Sequence, residues 1–228
     1  MSLYDSEVRF TRSEVVVDPR VTLIGGLFAI IATIVGTVSI LGAVATYTVF
    51  PFRPLAVGLP YPIPVLNLGY NFWDQYVSEM SAGPSAFLYN VGVIVTGILA
   101  IPVFPSMQRI LRNTIIAKVG VLFGVVASIA MSFSSVFPLY VNSVGHGIFA
   151  GIFFASIGVS IVLLTYAMYK GKFFSKVNVA IGVVFVVVDL SFMLTGNSVA
   201  EWMVFFVVVV WLLAAGIRMV TKHKVTEV

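Results

Sequence analysis

Polar and ionisable side chains inside apolar stretches are where this chain can do chemistry, because burying them is costly. Three such stretches hold Asn90, His146 and Asp189, the last close to Ser191. Near the ends of the same stretches stand Asp74, Ser78, Glu79 and Glu201. A carboxyl group beside an imidazole suits general acid–base work. The same types also suit proton transfer, or the polar end of a small ligand. A bound metal would need three or four ligands at good spacing. His146, Asp189 and Glu79 match no metal motif, and the other histidine, His223, lies in the C-terminal tail. Neither a metal nor a cofactor is therefore assigned. No Gly-x-Ser-x-Gly elbow, phosphate loop or dinucleotide fingerprint occurs, so no catalytic residue is assigned either. Each candidate also has a structural reading. Asp189 can be held by one helix–helix hydrogen bond or stay protonated in an apolar site, and His146 can bond a loop carbonyl. Ser81 or Ser85 can cap a helix, with Pro84 in its first turn.

The elements that position these residues follow from where charge is missing. Of 228 residues, 60% are hydrophobic and only 10% charged. Mean hydropathy is +1.08. A soluble domain carries about a quarter of its residues as charges. The composition excludes a soluble enzyme, a nucleic-acid binder and a disordered chain. There is no cysteine, hence no disulfide or thiolate site. Six apolar segments are long enough to span a bilayer, at about 21–49, 84–104, 113–137, 143–169, 177–196 and 199–220. Backbone groups in hydrocarbon must bond internally, so the expected fold is an all-α, polytopic six-helix bundle. The expected division is an N-terminal segment over 1–20, a membrane domain over 21–220 and a tail over 221–228. An outer loop over about 51–83, rich in proline and aromatics, is expected to lie over the bundle, with a short helix near 71–80. Gly120-x-x-x-Gly124 and Gly147-x-x-x-Gly151 are predicted to pack helices, within the bundle in the favoured reading and between copies in the alternative.

Charge also predicts orientation. With the N-terminus inside, twelve of the thirteen Lys and Arg residues fall on the inner side, and only Arg53 falls outside. Both termini are then cytoplasmic in the cell membrane. The formal charge of +4 becomes an inner rim facing anionic headgroups, not a nucleic-acid site. Asn90 and His146 then lie about 5–10 Å, and Asp189 about 10 Å, below the outer ends of their helices.

The run Val77-Ser78-Glu79-Met80-Ser81-Ala82-Gly83-Pro84-Ser85-Ala86-Phe87-Leu88-Tyr89-Asn90-Val91-Gly92, with Phe137-Pro138 and then His146 further on, resembles a prokaryotic membrane family, the domain of unknown function nine-nine-eight. The resemblance covers roughly residues 21–218. It implies an archaeal or bacterial protein of six or seven spans with no assigned reaction. It also puts Ser78, Glu79, Gly83, Asn90, Pro138 and His146 on the family's marked positions.

The residues together predict an outward-facing polar pocket formed by Asp74, Ser78, Glu79, Asn90, His146, Asp189 and Glu201 under the long loop. The expected role is to bind a lipid or small apolar molecule, or to serve as a subunit of a membrane assembly. This favours a non-enzymatic protein. The alternatives are a membrane-embedded lipid hydrolase or transferase and, third, a proton-coupled transporter working through Asp189.

Overall fold

A computed structural model describes residues 18–47, 52–53, 63–64, 70–81, 85–111, 114–171 and 173–222. The architecture is all-helical. It comprises α1 (Pro19–Thr46), α2 (Ala86–Ala100), α3 (Val103–Ile110), α4 (Ile115–Val136), α5 (Ser143–Lys170), α6 (Lys176–Thr195) and α7 (Ser198–Lys222). A two-residue antiparallel ladder joins β1 (Phe52–Arg53) to β2 (Ile63–Pro64) in the long loop. Six helical spans are long and apolar enough to cross a membrane, with α2 and α3 counting as one span from Ala86 to Ile110. The predicted second span stops at residue 104, but the helix restarts after Pro102 and runs on. Proline has no N–H to leave unbonded at a helix start, so Pro102 bends the span without ending it.

Local chemistry sets the other boundaries. Asp18 caps α1 with Pro19 at its first position, Thr114 caps α4, and Asn142 caps α5 through the Gly145 N–H. Ser175 and Asn178 form a capping box on α6. Gly196 ends α6 at φ 58°, a left-handed conformation open to glycine at little cost.

Each span packs on two others in the order α1, α2, α4, α5, α6, α7, and α7 returns to α1. The spans therefore form a closed ring. Water does not drive helices together inside a bilayer, so close approach depends on small residues. Gly36 lies against Thr96, Gly92 against Ser39, and Gly97 against Ser128 and Ser132. Gly120 meets Leu163 and Leu164, and Gly124 meets Phe104. The Gly147–Gly151 pair differs from expectation. A Cβ at either position would find no atom within 4 Å, so this face of α5 is not packed within the bundle.

The ring is stoppered at both ends. Helix α3 packs on α1 and α4 at one end, with Phe104 and Met107 fully or almost fully buried. The 3₁₀ turn Val77–Ser81 packs on α1, α2 and α7 at the other. The predicted short helix near 71–80 is this turn, preceded by a tight turn at 72–74. The helical basic residues Arg20, Arg109, Lys118, Lys170, Lys176, Arg218 and Lys222 all sit at the α3 end.

Candidate functional site

Residues 70–81 form a plug that is bonded to every span it covers. Its acceptors and donors are mostly backbone groups that a loop would otherwise expose to water, and burial obliges them to pair. The Glu201 carboxylate accepts the Val77 N–H at 2.7 Å and also bonds the N–H and hydroxyl of Ser78. Glu79 accepts the Tyr76 N–H at 3.3 Å and the Tyr140 hydroxyl at 3.5 Å. Both acids are buried, at 4% and 8% exposure for Glu79 and Glu201. Two carboxyl groups this close to one turn would repel if nothing neutralised them.

Polar bonds tie the rest of the plug to the ring. The Tyr70 hydroxyl lies 2.8 Å from the Tyr76 carbonyl and accepts the Trp202 indole N–H at 2.8 Å. Burial pushes the Tyr70 phenol well above its usual range, so it stays a proton donor. Gln75 donates to the Tyr47 hydroxyl at 3.2 Å, reaching α1. Tyr76 donates to the Gly196 carbonyl, and Ser198 donates to the Trp73 carbonyl at 2.9 Å, reaching the α6–α7 turn. Asn90 donates to the Ser81 carbonyl and the Leu139 N–H donates to the Ser81 hydroxyl, both at 3.2 Å, reaching α2 and the α4–α5 turn. Tyr47, Phe72 and Trp202 pack edge-on around Tyr70.

The structure therefore joins Ser78, Glu79 and Glu201 directly, and Asn90 through Ser81. Asp74 is exposed on the plug's outer rim, where its carboxylate accepts the Asn71 amide at 2.6 Å. His146 is buried one helix away. Its Nδ1 lies 2.8 Å from the Ser134 carbonyl and 3.2 Å from that of Phe137. A carbonyl only accepts, so Nδ1 carries the hydrogen. Asp189 stands apart on the α5–α6 seam, packed against Gly158, with Oδ1 buried and unbonded. Among the described residues no three His, Asp or Glu side chains converge as a metal site. Tyr70, Gln75, Tyr76, Tyr140 and Trp202 have roles that the sequence reading did not find. Polar tips on aromatic bodies were the available signal, but they equally suit a headgroup anchor.

Below the plug, inside the ring, is a cavity of about 80 Å³. Its wall comes from α1, α2, α4, α5 and α7, with Phe104 at the α2–α3 bend, and includes Ala32, Gly36, Ala127, Ile157 and Leu212. Three hydroxyls reach this wall, and each is already bonded to its own helix. Thr33 donates to Ala29, Thr96 to Gly92 and Ser128 to Gly124, at 2.8, 2.7 and 2.9 Å. A water needs two to four polar partners, and an apolar void of comparable size stays dry. The cavity is thus suited to an apolar occupant. Met80, fully buried, belongs with Ile40 and Val93 to the apolar cluster between cavity and plug.

The profile of a family described as protein of unknown function, DUF998, matches residues 54–218. No curated protein and no solved structure matches.

Proposed function

The chain belongs to the DUF998 family of proteins of unknown function, and we propose that it binds an apolar molecule, such as a lipid tail, within its ring of membrane helices. The observation that carries this reading is the apolar cavity of about 80 Å³ whose three wall hydroxyls are already satisfied. A volume of about 80 Å³ takes the end of a chain and not a whole lipid. The plug above it covers the outer face and the basic end faces the cytoplasm, following the bias of Lys and Arg in the sequence. In this reading the acids are structural. Glu79 and Glu201 hold the plug in place and do not touch the ligand.

Filling the cavity tests the reading. Ala32 and Ala127 line it and are almost wholly buried. The protein is purified in mild detergent, washed and extracted with organic solvent, and the extract is weighed by mass spectrometry. Wild-type protein should release an apolar molecule in near-molar ratio. Ala32→Leu and Ala127→Leu should release much less while melting no lower than wild type. Equal extracts from wild-type and filled protein, with both folded, would remove the proposal.

A further inference from the structure

The α5–α6 seam contributes a second feature, independent of the central cavity, whose lining takes no residue from α6. Along this seam two glycines face two polar side chains reciprocally. Gly158 of α5 lies against Asp189 of α6, and Gly182 of α6 lies against Thr165 of α5. Each pair of positions, 158 with 165 and 182 with 189, is seven residues apart and so lies on one helix face. Asp189 is 4% exposed, and its Oδ1 has no hydrogen-bond partner.

No titratable group faces this carboxyl from the elements that pack against it. One turn towards the plug, Phe192 of α6 meets Phe154 of α5 with ring centroids 4.4 Å apart. One turn the other way lie Phe185 and Ile161, both fully buried. The α5 face presents Gly151, Phe154, Gly158, Ile161 and Thr165, none of them titratable. At the same level α7 presents Val204 and Val208, from the same apolar cluster. The nearest acid along α7, Glu201, is turned to the Val77 N–H. On α5, His146 is bonded at the α4–α5 turn, and Tyr166, Tyr169 and Lys170 lie towards the opposite end. A sodium- or calcium-sized ion needs several oxygen ligands. A single unbonded carboxyl among aromatic rings suits only a proton.

There is also a way in. Helix α6 ends at Thr195, three residues past Phe192, whereas α5 runs back from Phe154 to Ser143. The excess of eight residues carries α5 about 12 Å beyond the end of α6. The face of α5 that covers α6 continues as Gly151, level with the end of α6, and Gly147 on the overhang, both exposed with no atom near a Cβ. A side-chain-free strip thus leads from the plug end down to the Phe154–Phe192 pair, and Asp189 lies one turn beneath it.

We propose that Asp189 is a proton-binding site that exchanges with the plug end of the bundle along this strip, with Phe154 and Phe192 as the barrier. Carbodiimides test it on the wild-type protein in native membranes. A carboxyl O–H adds across one N=C bond of the reagent, and the O-acylisourea rearranges to a stable N-acylurea, so the reaction requires the proton. Peptide mapping by mass spectrometry should find Asp189 modified by apolar dicyclohexylcarbodiimide and spared by a water-soluble carbodiimide. Phe192→Ala should speed modification by the water-soluble reagent about tenfold, as a lowered barrier would. An Asp189 that resists the apolar reagent in membranes, yet reacts once the protein is unfolded, would overturn the proton site. Equal rates in wild-type and Phe192→Ala protein of matching melting temperature would overturn the path.

Discussion

The α2–α4 and α5–α6 seams use one device with opposite results. In both, a glycine of one helix receives a polar side chain of the next. At the α2–α4 seam Gly97 faces Ser132, whose hydroxyl lies 3.2 Å from both the Ile94 and the Ser128 carbonyls. A hydroxyl has a hydrogen to give, and helix carbonyls are the acceptors within reach. The seam closes with this hydroxyl paired. At the α5–α6 seam Gly158 faces Asp189, and Gly182 faces Thr165. Asp189 Oδ1 and Thr165 Oγ1 are both buried without partners. The same geometry therefore leaves two buried polar groups unpaired. The difference separates packing from function. A paired hydroxyl between helices explains itself, whereas an orphaned ionisable carboxyl in the membrane is by default a candidate for function.

The largest effect is expected from breaking the paired seam. A Cβ on Gly97 would stand 2.6 Å from the Ser128 carbonyl oxygen, which is backbone and cannot swing aside. Gly97→Ala should therefore cost about 2 kcal/mol, as overpacking of a tight core does. The readout is the melting temperature in detergent. An unchanged value would show that α2 and α4 have slack, and the contrast between the seams would lose its basis.

A smaller effect of opposite sign is expected at the other seam. Replacing an unpaired buried carboxyl by an apolar side chain of similar size removes a desolvation cost and leaves no partner stranded. Asp189→Leu should hold or raise stability, by on the order of 1 kcal/mol. Thermal melting of this variant beside wild type decides the matter. A clear fall in melting temperature would mean that Asp189 has a structural bond, and the proposed proton site would lose its main support.

Much of this was readable from the chain. Six spans emerged within a few residues of their true ends because loops are marked by Lys, Arg, Pro and capping residues such as Asp18 and Ser175. The extension from residue 105 to Ile110 was not, since Ser106, Gln108 and Arg109 lower the hydropathy of a helix that also buries Phe104, Met107 and Ile110. The height of Asp189 followed from helix rise alone. Its neighbour Gly158 did not, because that depends on how two helices are rotated about their axes. The plug was harder still. Glu79 and Glu201 were both read at the end away from the Lys and Arg cluster, but 122 positions separate them and their shared turn exists only after docking. That Glu201 meets Val77 is a tertiary fact with no local signal. The bare Gly147–Gly151 strip has the same small-residue spacing as the packed Gly120–Gly124 pair, so spacing alone cannot tell them apart.

The finest test of the comparison is Ser132→Ala. It removes the hydroxyl that pairs the α2–α4 seam but keeps the small side chain that Gly97 accommodates. Hydrogen bonds between membrane helices average only about 0.6 kcal/mol, because the unfolded chain also finds partners in the bilayer. The two carbonyls left behind, those of Ile94 and Ser128, keep the acceptor roles that helix geometry gives them. The expected loss is therefore about 0.6 kcal/mol, a shift that replicate melts in detergent can resolve. A loss several times larger would make the hydroxyl a clamp and not a pairing of convenience. In that case the α5–α6 seam, which lacks any such bond, should be the first part of the ring to open, and hydrogen exchange along α6 should outpace that along α4.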